Sequence, residues 1–109
     1  MAEIAYILEN GEPKPVSDLQ EWSRWFEANA NARHIGDDVI GAARVSTVFL
    51  GLNHAHFGGP PLIFETMVFG GPLDGEQERY STTQQAIDGH AAMCARVRDM
   101  AKLTDGPDA

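Results

Sequence analysis

Five side chains in this sequence are suited to chemistry by type and spacing: His54, His56, Glu65, His90 and Cys94. Imidazoles with a carboxylate suit zinc, and His54 and His56 would share a face if the strand before them continued that far. Their spacing matches no established metal motif, and Gly51 and Gly58-Gly59 bracket them in what reads as a flexible loop. Ordinary loop histidines are the competing reading. His90 and Cys94 stand at i and i+4, one turn apart on a helix. A catalytic Cys/His pair would use that proximity, but two core residues on one apolar stripe have the same spacing. The glycines of FGGPP and FGGPLDG have no helix or lysine placed to cradle a phosphate.

Glu65 is the most informative single residue. It interrupts the apolar run IFETMVF, where a carboxylate costs several kcal/mol (roughly) unless it is paired. Arg44 and Arg79 are the expected cationic partners. The functional alternative makes Glu65 a polar anchor in a ligand pocket with Ser46, Thr47 and Tyr80.

The elements that must position these groups are legible as patterns. Glu3–Leu8 alternates as a first strand, Asn10-Gly11 supplies a tight turn, and Pro13 and Pro15 allow a short return at a sheet edge. Ser17-x-x-Gln20 opens a helix to about Ala30 with Leu19, Trp22, Trp25 and Phe26 on one stripe. Arg33–Ile35 reads as a short strand and Gly36-Asp37-Asp38 as a turn. The runs Val45–Leu52 and Leu62–Phe69 read as a buried hairpin. Symmetric closure of the loop Asn53–Pro61 sets Leu50 opposite Phe64 and Val48 opposite Thr66. Both faces then read as apolar, one of them carrying Val45, Phe49, Ile63, Met67 and Phe69. Arg79-Tyr80 reads as a brief strand. Ser81-x-x-Gln84 opens a second helix to about Leu103, striped by Ala86/Ile87, His90/Ala91, Met93/Cys94, Val97 and Met100/Ala101.

The whole chain bounds what these elements can build. Its 109 residues predict one domain with a single modest core. A net charge of −8 argues against counterion-driven binding to nucleic acid or an anionic membrane. Arg96, Arg98 and Lys102 read as cations complementing the end of a helix dipole. No apolar run approaches the roughly 20 residues of a membrane span. The N-terminus lacks a signal-peptide pattern, and the single cysteine can form no internal disulfide, so a cytoplasmic protein is expected.

The strings VSTVFLGLNH, PPLIFETMVFGG and ERYST followed by GHAAM, after YILENGEP and EW..WFE, resemble a family of small proteins encoded by bacteriophages and prophages. The likeness runs from about Tyr6 to Arg98, although NHAHFGG carries one histidine beyond the pattern. It implies an accessory or host-takeover role and brings no catalytic set.

Together these readings predict an α+β fold, a small antiparallel sheet of four to five strands with two helices packed on one face. The domain spans residues 1–103 and the tail 104–109 is frayed. The expected function is binding rather than catalysis. The protein would be a phage-type accessory factor in the host cytoplasm that forms a homodimer through its uncovered sheet face and engages a host protein or small molecule. Glu65, Ser46, Thr47 and Tyr80 are its candidate ligand residues, with no cofactor, nucleic acid or membrane involved. The alternatives are a small metal-dependent hydrolase using the His54/His56 loop with His90 as a further ligand, and a structural assembly component.

Overall fold

A computed structural model describes residues 4–105. The chain forms β1 (Ala5–Glu9), β2 (Glu12–Val16), α1 (Leu19–Ala28), a 3-10 turn at Asn31–Arg33, β3 (His34–Ile40), β4 (Ala43–Phe49), β5 (Phe64–Phe69), β6 (Gln77–Tyr80) and α2 (Thr83–Asp105). The fold is α+β, with a four-stranded antiparallel sheet in the order β3-β4-β5-β6 and a separate β1-β2 hairpin. α2 lies across all four strands of the larger sheet. α1 packs on the hairpin and reaches the same side of the sheet, where Trp25 meets Phe49 edge-on at 5.8 Å.

Asn10 and Gly11, both at positive φ, turn the hairpin as the Asn-Gly pair predicts. The hairpin joins the rest through a bridge between Ala5 and Leu52 and through Thr83 Oγ1, which donates to the Gly11 carbonyl at 2.7 Å. Both helix caps sit one residue later than the sequence pattern places them. Asp18, not Ser17, caps α1 by accepting from the amides of Gln20 and Glu21. At α2, Thr82 Oγ1 accepts from the Gln85 amide while Gln85 Oε1 accepts from the Thr82 amide, a reciprocal capping box. Helical backbone continues to Asp105, past the expected end near Leu103, and residues 106–109 of the expected tail lie outside the described residues.

Two expectations are corrected. Gly36-Asp37-Asp38 is not a turn but the middle of β3, and the reversal comes at Gly41-Ala42. The central hairpin is also shifted by one residue, pairing Phe49 with Phe64, Thr47 with Thr66 and Val45 with Val68. A one-residue shift changes which side chains share a face. The loop does not close symmetrically, because Asn53 Oδ1 gathers the amides of Ala55 and Leu62 at 2.8 and 3.0 Å.

Both strands consequently alternate. The helix-covered face buries Val45, Thr47, Phe49, Phe64, Thr66 and Val68, while Ser46, Val48, Glu65, Met67 and Phe69 are half-buried or exposed on the other. Val45 and Phe49 therefore lie under the helices, and Ile63 is buried with Phe49 and Phe64, so these three do not belong to the uncovered face. The core has two parts. One joins Ala43, Val45 and Val68 to Met93, Cys94 and Val97 of α2. The other gathers Phe49, Ile63, Phe64 and Ala86 with Trp25, Ile35 and Tyr80 at its margin. The opposed pair Thr47 and Thr66 lies between them in the register.

Candidate functional site

The threonine pair belongs to a row of polar side chains that crosses the whole sheet. Tyr80 of β6 donates its hydroxyl to Thr66 Oγ1 of β5 at 3.0 Å. Thr66 meets Thr47 of β4 at 2.5 Å, and Thr47 Oγ1 meets His90 Nδ1 of α2 at 2.7 Å. His90 Nε2 then reaches Asp38 Oδ2 of β3 at 2.6 Å. One proton assignment satisfies every partner: Tyr80 donates to Thr66, Thr66 to Thr47, Thr47 to Nδ1, and the Nε2–H to the Asp38 carboxylate. Buried polar groups are tolerated in a core on that condition.

Local sequence explains how α2 comes so close. A Cβ at Gly36 would lie 2.7 Å from the His90 ring, so only glycine leaves β3 open beneath it. A Cβ at Gly89 would fall 2.2 Å from the Tyr80 ring, so a second glycine lets that ring lie against the helix. Thr47 and Thr66 are wholly buried, and the row reaches solvent at Asp38, whose side chain is 52% exposed.

At that end Cys94, one turn beyond His90, places Sγ 3.6 Å from His90 Nε2 and 3.7 Å from Asp38 Oδ2. The hydrogen bond from His90 holds the Asp38 carboxyl below the usual carboxylate range. Burial, with the Asp38 charge adding to it, pushes the Cys94 thiol up, so the free thiol is protonated and a poor nucleophile at neutral pH. Burial likewise raises Tyr80.

Asp38, His90 and Thr47 share the group types of a hydrolytic triad with the imidazole nitrogens exchanged, the carboxylate on Nε2 and the hydroxyl on Nδ1. The hydroxyl is fully buried and already bonded to Thr66. No substrate carbon can approach it in this conformation. The row fixes the orientation of His90 from both ring nitrogens and lies between the two parts of the core.

The residues singled out from sequence divide among three places. Thr47, Tyr80 and His90 meet in the row. Glu65 and Ser46 lie on the opposite face of the sheet, where Glu65 Oε2 accepts from Arg79 Nε at 3.0 Å and from Gln77 Nε2 at 2.5 Å. Arg44, the other expected partner, is held instead by both carboxylate oxygens of Asp37 at 2.8 Å. His54 and His56 stay in the loop, lining a shallow depression with Phe57, Leu62, Arg79 and Ser81. Among the described residues, the group of three or more potential metal ligands with mutually close donor atoms is Asp38, His90 and Cys94, and it contains neither loop histidine.

Sequence reasoning missed Asp38 and Gly36. The available signal was the i, i+4 pair His90/Cys94, a half-site that requires a third group from another element. No protein-family model matches the chain, and comparisons with curated proteins and with solved structures return no match.

Proposed function

We propose that this protein is a phage-type accessory binding protein that works as a two-fold dimer and presents its histidine loop to a partner. The uncovered face of the four-stranded sheet carries this reading. Val39 and Phe69 are 76% and 48% exposed there, with Val48 and Met67 half-buried between strands. The ion pairs Asp37–Arg44 and Glu65–Arg79 lie on the same face. A surface that carries both signs of charge around apolar side chains can meet its own copy under a two-fold axis, the commonest oligomer symmetry.

Light scattering at tens of micromolar is expected to give the mass of two chains, and a strict monomer overturns the dimer.

The partner-facing surface is the loop after β4. Phe57 stands fully exposed at its tip beside His54 and His56, and an exposed aromatic of this kind is a natural binding anchor. Wild type and Phe57→Ala, each used to capture proteins from host lysate, should differ in what they retain. Identical retention removes the loop from this reading.

A further inference from the structure

We propose that Asp38, His90 and Cys94 form a three-ligand site for a divalent transition-metal ion of the zinc type, at the solvent end of the polar row. The three donor atoms form a triangle of 2.6, 3.6 and 3.7 Å. A tetrahedral zinc ion, with Zn–S about 2.3 Å and Zn–N or Zn–O about 2.0–2.1 Å, separates its sulfur from neighbouring nitrogen and oxygen ligands by about 3.5–3.6 Å. Both sulfur distances already stand close to that value. The third distance is a hydrogen bond, and it opens to about 3.3 Å when the ion takes the place of the proton between Nε2 and Oδ2. Asp38 is half-exposed on the edge strand and is free to make that small movement. Its exposure leaves the fourth position on the solvent side, open to water or a small anion.

The surroundings fit the chemistry of such a site. His90 and Cys94, one turn apart on α2, provide two ligands from one rigid element. Coordination through Nε2 moves the imidazole proton to Nδ1, which then donates to Thr47 Oγ1, and the row reverses its direction: Thr47 donates to Thr66, and Thr66 to the Tyr80 hydroxyl oxygen. A hydrogen bond from the uncoordinated ring nitrogen is what orients metal-bound histidines. The thiol gives its proton to solvent as the Cys94–metal bond forms, so one proton leaves for each ion bound. Thiolate with imidazole selects zinc or cobalt over magnesium or calcium. The position differs from the His54/His56 loop suggested by the sequence, and it does not depend on self-association.

Tag-free full-length protein, stripped with chelator and titrated with cobalt(II), tests the site. The expected result is one ion per chain and a thiolate-to-cobalt charge-transfer band, displaced by zinc. Cys94→Ser should abolish the band, and Asp38→Asn, a change at a half-exposed side chain, should weaken binding by about tenfold or more. His54→Ala/His56→Ala should keep both band and affinity. Circular dichroism of each variant identifies any that fail to fold, and Asp38→Asn carries the test if Cys94→Ser does. Absence of stoichiometric binding by wild type overturns the proposal. So does a band that survives Cys94→Ser, an affinity unchanged in folded Asp38→Asn, or binding lost only in the loop variant.

Discussion

Glu65 is a carboxylate in an apolar strand whose desolvation is met by two donors, Arg79 and Gln77, on the next strand. Its side chain is 15% exposed and that of Arg79 33%, a pair neither dry nor fully wet. Glu65→Gln keeps a hydrogen-bond acceptor but removes the charge facing Arg79. The expected cost is about 1 kcal/mol, between the values for exposed pairs and for buried charges left unpaired. Urea unfolding measures it, and an unchanged midpoint would mean that water replaces the carboxylate at no loss. The need for a partner at Glu65 was legible because a charge among Ile63, Phe64, Met67 and Phe69 is conspicuous in any sequence. Asp38 was not legible. It follows Gly36-Asp37, and Gly-Asp-Asp favours a turn by local propensity. The reason for glycine there, the His90 ring pressed against β3, lies more than fifty residues further along.

At the scale of elements, strands and helices were readable because each signal is local: short apolar runs bounded by glycine and proline for β4 and β5, a stripe of period 3.6 for α2. The pairing register was not, since it depends on how Asn53 folds the loop between the strands. The approach of α2 to the sheet offers a test in which two known effects oppose each other. Gly89→Ala should stabilise an isolated helix by about 1 kcal/mol. Here the added methyl would lie 2.2 Å from the Tyr80 ring, and overpacking of that kind costs about 1–3 kcal/mol. The expected net effect is destabilisation, with a lower melting temperature. In a Tyr80→Ala background the same substitution should become neutral or stabilising. Destabilisation in both backgrounds would place the constraint on the helix backbone and not on the tyrosine.

For the whole molecule, the α+β class and the placement of both helices on one side of the sheet followed from counting: two helices can cover one face of a small sheet and no more. Which residues the other face carries could not be counted, because the one-residue shift exchanges Val45 and Phe49 for Val48 and, with β3 added, Val39. A test of the dimer therefore uses residues that the shift exposes. Val39→Asp with Phe69→Asp should give a monomer by light scattering while the circular dichroism spectrum stays unchanged, since both side chains lie outside the core. A double variant that remains dimeric would move the interface to another surface. Among the described residues no helix is long and apolar enough to cross a membrane.

The order of elements along the chain has a consequence for synthesis. α2 follows every strand that it covers, so β4 and β5 are complete before their lid exists. At about 5–20 residues per second, a helix of 23 residues takes on the order of one to five seconds to be made. Through that interval Val45, Phe64 and Val68, with the part of Phe49 that Trp25 of α1 does not cover, are an adhesive strip on a nascent chain. Thr47 and Thr66 lie across its middle. The two hydroxyls that later carry the polar row first break that strip into shorter apolar patches, which lowers its capacity to capture a neighbouring polypeptide before the last helix arrives.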